Sequence, residues 1–156
     1  MAVVDLLDLP AATPPRTPWA GLDLGEKTIG VAVSDLTRVI ASPLQLIRRR
    51  KFTLEAEELF ALMAGRGASA VVMGLPVNMD GTEGPRCQSS RAFARNLLRL
   101  RPGLPIAFWD ERLSSAAVNR MLIAEADLSR AKRAEVVDRA AATYILQGAL
   151  DRVRTG

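Results

Sequence analysis

The sequence contains no histidine, which removes the usual general base of neutral pH, the Ser-His and Cys-His nucleophile pairs and every imidazole metal ligand. Hydrolytic chemistry here must rest on carboxylates. The single cysteine, Cys87, excludes an internal disulfide and a cysteine-built zinc site, in agreement with a reducing compartment. Aromatic residues make up 4% of the chain, too few for base stacking to dominate the recognition of a nucleic acid. No apolar run approaches the roughly 18 residues of a membrane span. The N-terminus, MAVVDLLD, has acidic residues where a secretory signal has a basic region and an apolar stretch. The expectation is a cytoplasmic protein without a membrane association.

What is present is enough apolar material for one core. A chain of 156 residues that is 49% hydrophobic buries about two thirds of its unfolded surface when it folds as one domain. The formal charge of +4 and the pI of about 10.0 are compatible with a polyanionic partner without establishing one. Carboxylates without imidazole or thiolate suit hard cations, Mg2+ or Mn2+, which favour oxygen ligands and accompany phosphates.

Residues 1–18 are rich in Pro, Ala and Thr and read as a flexible or loosely docked leader; residues 19–156 form the domain. Three short β-leaning runs, WAGLDLG, TIGVAVSD and VIASPLQLI, are separated by tight turns and predict an antiparallel meander. After the basic run Arg48-Arg49-Arg50-Lys51, Thr53 is placed to cap a helix that Gly65 and Gly67 stop. AVVMGL (70–75) is a continuous apolar run of the kind covered on both faces. The loop PVNMDGTEGP leads into a helix from about Arg86 to Leu100, LPIAFW (104–109) is a further buried strand, and Ser114 or Ser115 begins a helix through Ala126. A last long helix runs to about Val153. The fold class is α/β: a mixed five-stranded sheet, antiparallel at its N-terminal end and parallel thereafter, flanked by helices.

Two carboxylates stand out from their surroundings, and a third lies at a place where sites form. Asp23 interrupts an apolar strand between Leu22 and Leu24, on the opposite face from both, with Gly21 and Gly25 leaving room for a close approach. The competing reading is an edge-strand aspartate facing water. Asp138 lies in the last helix among Val137, Ala141 and Ala142, with no Lys or Arg three or four positions away. An ordinary solvated helix acid is its alternative. Asp110 and Glu111 follow the LPIAFW strand at its carboxyl end, where open α/β sheets place ligands. Adjacent residues on an extended chain point opposite ways, so one of them faces Asp23 and spacing does not say which. The alternative is that both sit in a solvated turn and pair with Arg112. Convergence of three such acids would suit two-metal phosphodiester hydrolysis.

Around this end of the sheet, Lys27, Asn78, Arg86 and Arg112 are candidates to contact a nucleic acid, with Arg130, Lys132 and Arg133 at the entrance to the last helix. The four-residue spacing of Arg91, Arg95 and Arg99 makes a basic stripe, for which a solvated helix face is explanation enough. Together with Arg48 to Lys51 these cations offer a track for a phosphate backbone.

Four segments in order, GLDLGEKTIGVAVSD, VVMGLPVNMDGTEGP, WDERLSS and SRAKRAEVVDRAAATYILQ, resemble the YqgF/RuvX family, described both as Holliday junction resolvase-like proteins and as pre-16S ribosomal RNA nucleases. The likeness runs from about Trp19 to Asp151. It implies a ribonuclease H-like fold, and it places the family's acids on Asp23, Glu111 and Asp138, preferring Glu111 over Asp110. Thr28 stands where the family often has Arg, so one basic contact near the first hairpin is absent or replaced. The resemblance implies a metal-dependent endonuclease that trims the 5′ end of precursor 16S rRNA during ribosome assembly.

Three other readings compete. A resolvase of four-way DNA junctions shares the chemistry and normally acts as a symmetric dimer; the sequence leaves monomer and homodimer open. A non-catalytic nucleic-acid-binding factor would keep the acids without turnover. Phosphoryl transfer from ATP, hinted at by the first hairpin, needs a two-lobed architecture larger than this chain.

Overall fold

The computed structural model describes residues 3–113 and 130–155, with side chains described for 3–113 and 140–155. The helix expected from Ser114 or Ser115 through Ala126 lies outside the described residues.

The strands are β1 (Trp19–Leu24), β2 (Thr28–Ser34), β3 (Ala41–Arg48), β4 (Ala70–Leu75) and β5 (Ile106–Asp110). Their spatial order is β3-β2-β1-β4-β5. β1 to β3 form the antiparallel meander read from the sequence, and β1, β4 and β5 run parallel. Continuous burial along β1 and β4 follows from their central places, whereas β3 alternates as an edge strand should. Pro43 is tolerated at that edge, beside the irregularity between Val31 and Ala32.

The helices are α1 (Leu9–Ala12), α2 (Phe52–Arg66), α3 (Pro85–Leu100) and α4 (Arg130–Thr155). α2 and α3 cover one face of the sheet, where Leu22, Leu24, Val71 and Met73 meet Leu59, Phe93 and Leu97. α4 covers the other, with Ala142, Ile145, Leu146, Ala149 and Leu150 against Trp19, Val72, Ala107 and Trp109. That spacing gives a single apolar stripe. Full burial of Ile145, Leu146 and Leu150 contributes about 1.5–3 kcal/mol each, enough to hold the helix across the strands.

The entry to α2 differs from expectation. Its N-cap is Lys51, and no side chain caps it. Glu55, 1% exposed, instead reaches back to accept the Arg50 N–H at 2.7 Å, which leaves the Thr53 hydroxyl no capping role. Gly65 continues the helix, and Gly67, at φ 69°, ends it in the left-handed region where glycine is favoured.

The leader is docked. Leu9 is fully buried in the α4-side core, and Val4 N–H donates to the Ile106 carbonyl at 2.9 Å, covering part of the β5 edge. Trp19 Nε1 donates to Thr13 Oγ1 at 3.3 Å, and Arg38 stacks on the Trp19 ring while donating to the Thr17 carbonyl. Leu9, with Leu6 packed against the same core, supplies this anchor. Among the described residues no helix is long and apolar enough to cross a membrane.

Candidate metal and nucleic-acid site

The site forms at the carboxyl ends of β1, β4 and β5. Leu22 pairs with Met73 across the parallel β1–β4 ladder, so Asp23 comes abreast of Gly74 one residue on. On its other side Asp23 pairs with Gly30 of β2. The aspartate therefore stands between two strand positions that have no side chain. It lies on the α4 face, because Gly21, two residues earlier, is the glycine that α4 presses on: a Cβ there would sit 2.6 Å from Leu146 Cβ. Asp23 is 8% exposed, so the water-facing edge aspartate is ruled out.

β4 and β5 pair Gly74 with Trp109 and Leu75 with Asp110, after which the chain turns into the 3-10 segment Glu111–Leu113. This turn separates the two adjacent acids. Asp110 accepts from the Arg112 guanidinium, from Nη2 at 2.7 Å and from Nε at 3.1 Å, and from the Arg112 backbone N–H at 2.9 Å. That pairing holds the Asp110 carboxyl below the usual carboxylate range and raises the Arg112 guanidinium. Glu111 goes the other way: its Oε2 lies 3.0 Å from the point a Cβ on Gly74 would occupy. Asp23, on β1, and Glu111, just past the end of β5, thus border the same glycine of β4. The alternative of an Arg112-paired turn describes Asp110 and not Glu111.

Asp138 lies in α4, one helical turn before Ala142, whose carbonyl oxygen would be 3.1 Å from a Cβ on Gly21. Its side chain is outside the described residues, as are those of Arg130, Lys132 and Arg133 in the first turn of the helix. Among the described residues no group of three or more metal-ligating side chains comes together.

The fit to a hard divalent cation rests on this donor set. Two carboxylates flank a glycine whose missing Cβ leaves room for them, since an added Cβ would come within 3.0 Å of Glu111 Oε2 and 2.5 Å of Ile145 Cδ1. Asp23 and Glu111, with Asp138 as the third acid, are the residues that would hold Mg2+ or Mn2+. Bound there, such an ion would supply Lewis-acid activation of water and stabilisation of a departing oxygen.

The basic candidates have separate fates. Lys27 and Arg86 are exposed. Arg86 lines a small cleft of about 120 Å³ with Gly25, Glu26, Arg49 and Ser89. Arg112, besides pairing with Asp110, reaches the Met79 carbonyl at 3.5 Å and so ties the loop after β4 to β5. Asn78 is used within that loop, donating to Thr82 Oγ1 at 3.0 Å. The basic run is partly structural: Arg49 pairs with Glu55 and Arg50 with Glu58. In the α3 stripe, Arg91 is taken by Glu83 through two bonds of 2.7 Å. Cys87 is fully buried, as a packing residue is, and burial, followed by the charge on Glu83, pushes its thiol up.

Gly74 escaped the reading of the sequence, where AVVMGL passed as an apolar run. The available signal was a glycine inside a strand, which marks close approach by another group.

The comparisons agree with this architecture. A family model, RuvX, described as Holliday junction resolvase, matches residues 17–152. A protein of Phenylobacterium zucineum named "Putative pre-16S rRNA nuclease" is 73% identical over 154 residues, covering 99% of each chain. Proteins with the same name from Caulobacter vibrioides, 64% identical over 99% of each chain, and Rhodospirillum rubrum, 64% identical over 97% of this chain and 93% of its own, are also similar. Among solved structures, that of Thermus thermophilus RuvC in complex with a Holliday junction substrate superposes with a TM-score of 0.54 at 12% identity, covering 90% of this chain and 98% of that one. The latter likeness concerns the fold alone, which is ribonuclease H-like. On the family match and the near-full-length relatives, the chain belongs to the RuvX family of nucleases.

Proposed function

We propose that this chain is a divalent-metal-dependent endonuclease of the cytoplasm that matures the 5′ end of precursor 16S rRNA, with Asp23, Glu111 and Asp138 as its metal ligands. The observation that carries this reading is the pairing of Asp23 and Glu111 about Gly74 on the sheet face that α4 crosses. Without histidine, these carboxylates act through a bound cation, Mg2+ or Mn2+. Lys27, in the turn after β1, and Arg86, on the cleft at Gly25 and Glu26, supply exposed positive charge for the sugar-phosphate backbone, and Arg112 ties the loop after β4 to β5. Arg130, Lys132 and Arg133, in the first turn of α4, are the further candidates for backbone contact. The names of the full-length relatives favour a precursor rRNA as the substrate.

The family's description supports a second reading, in which the same acids cut a four-way DNA junction. One experiment separates them. Purified protein is incubated with a precursor rRNA fragment and with a four-way junction, each with Mg2+ or Mn2+, alongside Asp138→Asn. Cleavage of the RNA alone supports maturation, and paired symmetric cuts in the junction support resolution. Metal-independent binding without products supports a non-catalytic factor. Cleavage by Asp138→Asn at the parent rate would remove that acid from the site.

A further inference from the structure

We propose that Gly74 is a positioning residue: the missing side chain in β4 is the seat that lets a carboxylate delivered from β5 reach the metal beside Asp23. This rests on the reading of Glu111 as a ligand and adds how the fold delivers it.

The strand register puts Gly74 between the two elements that carry the acids. Gly74 pairs with Trp109 on the β5 side and lies abreast of Asp23 on the β1 side. β4 itself offers no acid: Ala70, Val71, Val72, Met73, Gly74 and Leu75 are all apolar or without a side chain. The carboxylate comes instead from beyond the end of β5 and folds back over β4, its Oε2 at 3.0 Å from the Cβ position. Gly74 also accommodates α4, since the same Cβ would meet Ile145 Cδ1 at 2.5 Å and Cγ1 at 3.1 Å. One absent methyl therefore serves two neighbours, and the two roles are separable. Ile145 can be shortened, whereas Glu111 needs its carboxylate within about 0.5 Å of a productive position.

This geometry has a consequence that packing alone does not. A carboxylate attached directly at position 74 would project into the space that the Glu111 carboxylate occupies, provided Ile145 and Glu111 are cut back. Gly74→Asp with Ile145→Val and Glu111→Ala moves the ligand from one strand to the next.

The test reads Mn2+ binding to the protein alone, by titration of free ion with electron paramagnetic resonance, and metal-dependent cleavage of the RNA fragment as a second readout. Ile145→Val provides the baseline. Glu111→Ala is expected to weaken Mn2+ binding by about 10- to 100-fold, and the triple variant to regain at least about tenfold of that loss. The same variant with Asn in place of Asp at 74 is expected to regain none. A triple variant that melts near the parent temperature yet binds Mn2+ no better than Glu111→Ala overturns the proposal. Parent-like Mn2+ binding by Glu111→Ala would refute the assignment of Glu111 as a ligand, a distinct result. Should the triple variant not fold, Gly74→Ala with Ile145→Val decides: about tenfold weaker Mn2+ binding than Ile145→Val supports the seat, and equal binding overturns it.

Discussion

Arg49 donates from Nε to Glu55 at 2.8 Å, and the carboxylate it holds is 1% exposed. The same guanidinium donates to the Gly25 carbonyl at 2.7 Å, so one side chain joins the entry of α2 to the hairpin that follows Asp23. Removing Arg49 takes the ion pair from a buried carboxylate and leaves it the Arg50 N–H, whereas its neighbour Arg48 is exposed. Arg49→Ala is expected to cost about 3 kcal/mol and to lower Tm by roughly 6–12 °C. Arg48→Ala should change Tm by less than about 2 °C. Differential scanning calorimetry of both variants checks this, and equal losses would mean that the buried pair is not what stabilises this corner.

Two helical glycines should respond to alanine in opposite directions. At Gly148 a Cβ would lie 2.9, 3.0 and 3.1 Å from Cζ2, Cε2 and Nε1 of Trp109, on a ring locked between α4 and β5. At Gly65 nothing lies within 4 Å. Alanine gains about 1 kcal/mol of helix propensity at either place, but overpacking against a buried ring costs about 1–3 kcal/mol. Gly65→Ala should therefore stabilise by about 0.5–1 kcal/mol and Gly148→Ala should destabilise, both measured by urea unfolding. Stabilisation at Gly148 would show that Trp109 moves aside freely.

The adjacent acids should be unequal in catalysis. Asp110 is paired with Arg112 and Glu111 is turned toward Gly74. Glu111→Gln and Asp23→Asn are expected to lower metal-dependent cleavage by about 100-fold or more while leaving circular dichroism unchanged. Asp110→Asn should lower it by no more than about tenfold, through a loosened Arg112. Initial rates at saturating Mg2+ check the ranking. A larger loss at Asp110 than at Glu111 would reverse the assignment.

Acid stability should report on the β2–β3 turn. Asp35 accepts the Ile40 and Val39 N–H groups at 3.0 and 2.8 Å and the Thr37 hydroxyl, bonds that hold its carboxyl well below the ordinary value of 3.8. A depressed carboxyl stabilises the folded state above its unfolded pKa and loses that contribution as pH falls through the folded one. The Tm difference between the parent and Asp35→Asn should then be full near pH 6 and shrink below about pH 4. A difference that stays constant from pH 6 to pH 3 would show that the turn does not depend on the ionised form.

Much of the fold was legible because local periodicity and burial coincide. Alternation in WAGLDLG, the unbroken apolar run of β4 and the turn residues between strands specify the mixed sheet without long-range information. The α2 entry was misread because Thr53 has the right chemistry for a cap, while Glu55 wins by being buried and bonded to both Arg49 and Arg50. The leader was underestimated because three leucines among prolines have no periodicity, and Leu9 acquires its role only against the finished core.

By itself the sequence determined that any metal chemistry rests on oxygen donors, with carboxylates as the charged ones, since a chain without histidine and with one cysteine lacks imidazole and paired thiolate ligands. It also determined that Asp23 shares a strand face with no leucine, because side chains alternate. Tertiary structure gave Asp110 and Glu111 different surroundings, which spacing along the chain left open. The turn after β5 gives Asp110 to Arg112 and sends Glu111 across to Gly74. Such a choice depends on which strand lies next to which, and that is settled by the order β1-β4-β5 and the helix packed over it, not by spacing along the chain.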